Sequence, residues 1–138
     1  MKKYAIDTNI ISYILKNNKT IINKYRYECN QGNEFVMIPI VYYEINRWLL
    51  EKNAIKLQIE FNMMCDEFPL LDTNKNVWDK AAEIYVNTRK KGKSIGSDAD
   101  LLITAYCIVN NCTLITNNIR HFENIEELNV TNWMQGDV

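Results

Sequence analysis

A short apolar run near the amino terminus stops abruptly at an acidic residue. The residues at 4–6, Tyr-Ala-Ile, are followed directly by Asp7, Thr8 and Asn9. A short apolar run bounded by polar residues is typical of a buried strand, and α/β folds bind charged ligands at the carboxyl ends of their strands. This switch constrains the fold more than any other feature, because it predicts a sheet with Asp7 at its functional edge.

Apolar runs bounded by polar turns alternate with helix-period segments along the rest of the chain. This alternation predicts βα units and a parallel sheet. The predicted strands are residues 3–6, 35–38, 70–71, 113–115 and 129–130, and the predicted helices are residues 9–16, 21–29, 40–52, 54–66, 75–91 and 99–111. The last helix is the most apolar, so we expect it to be buried under the sheet. The predicted fold is a three-layer α/β/α, Rossmann-like arrangement around a mostly parallel central sheet.

Length and composition predict one domain, residues 1–138, with a single core. The chain has 138 residues, of which 47% are hydrophobic and 24% are charged, enough to bury a core without disulfides. Its longest apolar stretches, residues 35–41 and 101–109, are too short to span a bilayer, and no apolar signal core follows residues 1–3. We therefore expect a cytoplasmic protein that does not bind membranes.

The net charge argues against binding a nucleic acid by bulk attraction. The formal charge is −1 and the isoelectric point is about 5.9, whereas proteins that bind nucleic acids in this way are basic. If the chain binds a polyanion, positive charge must come from another source.

The cysteines favour a structural interpretation. Cys29, Cys65, Cys107 and Cys112 show no paired CxxC spacing, and a thiol in an apolar segment usually behaves as a small hydrophobe. We expect reduced core cysteines and no zinc or redox site.

Several acidic and amide residues occupy comparable positions in the predicted sheet. Asp7 ends the first strand, Glu44 lies early in the helix after the second, Asp98 and Asp100 open the apolar helix, and Asn118 follows the fourth strand. In a doubly wound sheet these side chains can converge on one crevice. Oxygen donors without histidine or cysteine suit Mg²⁺ or Mn²⁺. The chemistry they indicate is metal-assisted attack on a phosphodiester, in which the ion also supplies the missing positive charge.

Each of these residues also has a simpler interpretation. Asp7, or one of Asp98 and Asp100, could cap a helix, since aspartate is favoured at that position. Glu44 could lie on a solvated helix face, and Asn118 could be a turn residue. Their joint placement is what favours a functional site.

Four segments together resemble the motifs of a known family. They are residues 4–9 (YAIDTN), 39–44 (PIVYYE), 92–103 (GKSIGSDADLLI) and 114–118 (LITNN), the last followed by Arg120 and Phe122. In this order and spacing, over nearly the whole chain, they resemble the PIN-domain ribonucleases of the VapC toxin type. The resemblance implies a PIN fold and a Mg²⁺- or Mn²⁺-dependent endonuclease that acts on RNA, often tRNA. It also implies a homodimer and inhibition by a small cognate antitoxin.

The resemblance assigns roles residue by residue. Asp7, Glu44 and Asp100 match the family's three acidic metal ligands, and Asp98 matches an extra acid of some members. The fourth acidic position is Asn118 here, a departure from the family pattern. An amide could orient a metal-bound water or the substrate through hydrogen bonds, but it adds no charge.

Further polar residues near these motifs are candidates for holding the carboxylates or the substrate. Thr8, Asn9 and Thr116 could fix the carboxylate rotamers or contact the substrate, although capping and turn bonding would explain them equally well. Arg120 and the neighbouring His121 are candidates for contacting a phosphate.

The basic and aromatic residues outside these motifs leave two interpretations open. The basic run 89–93 could guide phosphates or simply complement a helix end. The aromatic residues at helical spacing could belong to the core or to a subunit interface; they are Tyr42, Tyr43, Trp48, Trp78 and Tyr85.

Two rival functions compete with a nuclease. One is a non-catalytic α/β domain that binds a partner or a nucleotide, and it should keep its function after Asp100→Asn. The other is a receiver-like module with Asp7 as phosphoryl acceptor, which is weak because no lysine follows the last predicted strand.

Overall fold

The computed structural model describes residues 1–70, 72–93 and 95–134. Four strands lie in this part of the chain: β1 (Lys3–Ile6), β2 (Glu34–Val36), β3 (Thr113–Ile115) and β4 (Val130–Thr131). They form one sheet in the order β2-β1-β3-β4, and every pairing is parallel. The helices are α1 (Thr8–Leu15), α2 (Lys19–Asn30), α3 (Pro39–Glu51), α4 (Ile55–Glu67), α5 (Lys75–Lys90) and α6 (Asp98–Val109), with a short 3₁₀ helix at Ile119–His121.

The predicted α/β/α fold with a parallel sheet is confirmed. The strand predicted at 70–71 is wrong for Leu70, which forms a single bridge with Met37; Leu71 lies outside the described residues. Leu70 therefore pairs at one position only, outside the four strands of the sheet.

Local sequence signals explain where the helices begin. The side chains of Asn74 and Ser97 accept hydrogen bonds from backbone N–H groups in the first turns of α5 and α6, at 3.2 and 3.1 Å. Pro39 opens α3, where its missing N–H costs nothing. Ser97, and neither Asp98 nor Asp100, is therefore the cap of α6.

Five helices end at a residue in the left-handed region. The residue that follows the C-cap has a positive φ at Asn17, Gly32, Asn53, Gly92 and Asn111. Glycine and asparagine adopt this conformation at the lowest steric cost, so these residues stop the helices and turn the chain back toward the sheet.

The helix α6 is buried, as predicted, in a core that the sheet and the other helices also build. Strand residues such as Ala5 and Leu114 and helix residues such as Ile103 and Ala105 are all at most 1% exposed. The helix α4 differs, because the apolar stripe of Ile55, Ile59 and Met63 is 58–65% exposed.

The cysteine prediction is only partly right. All four thiols are free, and Cys107 and Cys112 are buried, but Cys29 is exposed and Cys65 is half-buried. Cys29 lies in the last turn of α2, one turn beyond Tyr25, where the end of the helix leaves its side chain exposed. None of the described helices is both long and apolar enough to cross a membrane.

Candidate active site

Asp7 and Thr116 meet because they follow neighbouring parallel strands. Ile6 of β1 is in register with Ile115 of β3, so the next residue of each strand emerges at the same edge of the sheet. The Thr116 hydroxyl donates to Oδ2 of Asp7 at 2.7 Å, and the backbone N–H of Thr8 donates to Oδ1 at 2.7 Å. Asp7 therefore caps α1 and also stands at the crevice, so the two interpretations of this residue are compatible.

Asn9 and the residues after β3 hold this pair in place. The Asn9 side-chain amide lies 3.4 Å from both Asp7 Oδ2 and Thr116 Oγ1. The backbone N–H of Asn118 donates to the Thr116 hydroxyl at 3.0 Å, and that of Asn117 donates to Asn9 Oδ1 at 3.1 Å. These bonds fix the Asp7 rotamer from two sides.

Two further carboxylates reach the same place from α3 and α6. The Thr8 hydroxyl donates to Oε1 of Glu44 at 3.0 Å. Nδ1 of His121 lies 3.1 Å from Oδ2 of Asp100, a side chain that is 20% exposed. Glu44, Asp100, Asp7 and Asn118 all line one cavity of about 420 Å³, which we call the acidic cavity.

Burial sets the electrostatics of the acidic cavity. It raises the pKa of the Asp7 carboxyl above its ordinary value of 3.8, and the hydrogen bonds from Thr116 and Thr8 oppose that shift. The negative charges of Asp100 and Glu44 raise the pKa of Asp7 further. A cation in this cavity would favour the ionised carboxylates.

The chemical types of the groups in the acidic cavity suit a hard cation. Carboxylate oxygens with an amide nearby are the ligands that Mg²⁺ and Mn²⁺ prefer, and the acidic cavity holds such groups. Across the described ranges, however, no three acidic, histidine or cysteine side chains stand close enough to share an ion. The side chains of Glu44 and Asp100 would need to turn toward Asp7 to complete a coordination shell.

Two predicted site residues lie elsewhere. Asp98 is exposed and lines a second cavity of about 620 Å³ between α5 and α6, together with Arg89 and Ser97. Arg120 is exposed and is absent from the described lining of the acidic cavity, where its neighbour His121 takes part instead.

Other lining residues were not predicted as site residues. Ser12, Lys16 and Trp48 also line the acidic cavity. Helical spacing could have found them: Ser12 and Lys16 lie one and two turns beyond Thr8 on α1, and Trp48 lies one turn beyond Glu44 on α3.

A parallel sheet with acids gathered at its carboxyl edge is a ligand site of the kind that α/β domains build, and comparison with known families identifies the class of domain. The PIN domain family matches residues 4–128. The chain belongs to the PIN domain family.

The similarity to known relatives extends over nearly the full chain. Ribonuclease VapC1 of Haemophilus influenzae (strain R2866) is 27% identical over 131 residues, which are 94% of this chain and 97% of that protein. The tRNA(fMet)-specific endonuclease VapC of Shigella flexneri is 22% identical over 137 residues, or 96% and 99% of the two chains. The structure of VapBC2 from Rickettsia felis, bound to a DNA fragment from its promoter, has a TM-score of 0.84 at 26% identity, with 95% of this chain and 98% of that chain covered.

Proposed function

We propose that this protein is a divalent-metal-dependent endoribonuclease and the toxin of a toxin–antitoxin pair. The observation that carries the proposal is the meeting of Asp7, Glu44 and Asp100 in one cavity at the carboxyl edge of the sheet. The names of the relatives support RNA as the substrate, and one of them is specific for a tRNA. RNA of this kind is cytoplasmic, so we also propose that the protein acts there.

The three carboxylates would hold Mg²⁺ or Mn²⁺. When bound, such an ion supplies polarisation of a phosphoryl oxygen and activation of water as a nucleophile. Asp7 is the best prepared of the three, because both of its oxygens already accept hydrogen bonds at 2.7 Å. Thr8 positions Glu44 in the same way, through its hydroxyl.

The neutral and basic residues would act on the substrate side. Asn118 would orient the attacking water or the phosphate through its amide, adding no charge. His121, which lies beside Asp100, would hold that carboxylate in position. Arg120 remains a candidate for contacting a more distant phosphate, and Asp98 a candidate for a peripheral role.

An antitoxin is the partner that we propose for the exposed stripe of α4. Ile55, Ile59 and Met63 form a continuous apolar face on the surface, and an exposed patch of this kind marks a protein contact. The VapBC relatives support a protein partner for this chain. Replacing Ile59 and Met63 by lysine should abolish co-purification with the cognate antitoxin and leave RNA cleavage intact.

A second exposed surface supports the proposed homodimer. Trp78 and Tyr85 on α5 and Tyr43 on α3 are 45–54% exposed, and aromatic side chains are enriched at subunit interfaces. Sedimentation of the Trp78→Glu protein should give a monomer if this surface joins two copies.

The test of the nuclease proposal is to map RNA ends in cells. Expression of the wild type without its partner should arrest growth and create new RNA 5′ ends at discrete positions, whereas Asp7→Asn should do neither. If the Asp7→Asn protein arrests growth as strongly as the wild type, the rival interpretation as a non-catalytic binding domain is favoured.

A further inference from the structure

One end of the acidic cavity is neither acidic nor explained by the proposed metal chemistry. Of the described residues that line the cavity, Lys16 is the only lysine or arginine. Its Nζ atom stands 5.3 Å from the centre of the Trp48 ring, over the face of the indole. A cation and an aromatic face therefore lie together at the edge of a cavity whose other walls carry carboxylates.

The positions of these two residues follow from the packing of α1 against α3. Thr8, Ser12 and Lys16 are spaced four residues apart on α1, and Glu44 and Trp48 are spaced four apart on α3, so each set lines one side of the same cavity. At a rise of 1.5 Å per residue, Lys16 lies about 12 Å along α1 from Thr8. The Lys16–Trp48 pair is thus held beside the carboxylates but beyond their immediate contact, where a neighbouring nucleotide would lie.

Charge makes this end of the cavity important for an RNA substrate. The chain has a net charge of −1, and Asp7, Glu44 and Asp100 repel phosphates wherever a metal does not screen them. A lysine at the rim gives the incoming backbone an attractive contact. Trp48 is half-buried, so its indole is fixed in place while part of the ring remains accessible.

We propose that Lys16 and Trp48 form a nucleotide-binding subsite for unpaired RNA, an inference that rests on the proposed nuclease function. The Trp48 indole stacks on a base next to the bond that is cut, and the Lys16 ammonium leaves the ring face to pair with that nucleotide's phosphate. Bases in a duplex are stacked on one another and cannot reach the indole. The subsite therefore selects loops and single strands as the substrate class.

The first test measures how salt affects binding of a short fluorescein-labelled single-stranded RNA. The full chain carrying Asp7→Asn is used, so that the RNA stays intact. Neutralising one phosphate contact on a single strand changes the slope of log Kd against log salt by about 0.7, which is the decrease expected for Lys16→Met. Lys52→Met is the matched control, because Lys52 is the C-cap of α3 as Lys16 is the C-cap of α1, and its slope should not change. An equal slope in the Lys16 and Lys52 variants would overturn the subsite.

The second test separates stacking from packing at Trp48. Trp48→Leu should weaken binding of the single strand by about tenfold or more and should leave binding of the matching duplex nearly unchanged. Trp48→Phe, which keeps a π face, should retain most of the affinity. If the Leu and Phe variants are equally impaired and both melt at lower temperature, Trp48 only packs against α1, and the proposal fails.

Cleavage assays distinguish this inference from the proposed function. If RNA binding depends on Lys16 and Trp48 but the wild type cuts no RNA, the subsite is supported and the nuclease proposal is overturned. RNA cleavage with unchanged kcat/KM in Lys16→Met and Trp48→Leu would support the nuclease and overturn the subsite, and would leave this surface to packing or to a protein partner.

Discussion

The two cavities at the amino end of α6 are lined by different kinds of residue. The larger, of about 620 Å³, is lined by Arg89, the exposed Asp98 and the turn before α6. The smaller, of about 420 Å³, holds three carboxylates, one of them buried, and a network of hydrogen bonds. We therefore propose the smaller cavity as the place of the chemistry, because its carboxylates include a buried one that hydrogen bonds hold in position, although its volume is the lesser of the two.

The angle between successive side chains of an α-helix explains why two nearby acids line different cavities. Asp98 and Asp100 are two residues apart in the first turn of α6. At 3.6 residues per turn, side chains two apart point about 200° from each other. Asp100 consequently faces the sheet edge and His121, while Asp98 faces α5.

The largest expected effect compares these two acids directly. Asp100→Asn should reduce RNA cleavage by about a hundredfold or more, since it removes one of few ligands for a hard cation. Asp98→Asn, the matched change in the other cavity, should have a much smaller effect. Initial rates on a labelled RNA decide between them, and a greater loss in the Asp98 variant would reverse the assignment of the two cavities.

The second prediction tests whether hydrogen bonds position Asp7 in the acidic cavity. Thr116→Val removes the hydroxyl that donates to Asp7 at 2.7 Å and keeps the side-chain shape. We expect cleavage to fall by about tenfold to a hundredfold, as is usual when the partner of a ligand is lost. Thr116→Ser restores the hydroxyl and should recover most of the rate. Full activity in the valine variant would mean that Asp7 does not need the Thr116 hydroxyl for its positioning.

Manganese titration sharpens the contrast further. In a calorimetric titration, the Asp100→Asn substitution should weaken Mn²⁺ binding strongly, and Asp98→Asn should weaken it only slightly. Asn118→Asp adds a carboxylate to the wall of the acidic cavity, so it should tighten binding by several-fold. An unchanged affinity in Asn118→Asp would place this side chain beyond the reach of the metal.

The smallest effect is a pH dependence of stability that comes from the buried acid. Burial raises the pKa of Asp7 above 3.8, so the folded protein binds this proton more readily than the unfolded chain does. The resulting stabilisation is complete below the unfolded value and is lost as the pH rises through the raised folded-state pKa.

Urea unfolding of the metal-free protein measures this dependence. The free energy of unfolding of the wild type minus that of Asp7→Asn should decrease as the pH rises above 3.8. Asparagine offers one acceptor oxygen where aspartate offers two, which adds an offset that does not vary with pH. A difference that increases with pH would show that hydrogen bonding outweighs burial at Asp7.

Local patterns were sufficient to predict most of the fold. The apolar run that ends at Asp7 and the run at Thr113–Ile115 are strands β1 and β3, and the six predicted helices are present in the described residues, with ends that differ by at most two positions. These signals lie within single elements, so they do not depend on how the elements pack. Leu70 was mispredicted because a strand needs neighbours that its own sequence cannot specify.

The site was less predictable because it depends on contacts between distant segments. The Lys16–Trp48 pair forms only when α1 packs on α3. Similarly, the four-residue spacing of Ile55, Ile59 and Met63 indicates one apolar face of α4 but does not tell whether that face is exposed, since exposed and buried apolar faces have the same period.

The left-handed helix ends have a consequence for how this sequence tolerates change. Three of the five are asparagines, at φ values of 51° to 60°, and glycine holds the other two. A β-branched residue at Asn17, Asn53 or Asn111 would be strained in this conformation. Part of the chain's abundant asparagine is therefore a backbone requirement, and variation at these positions should be restricted to glycine, asparagine and aspartate even though none of the three is in the acidic cavity.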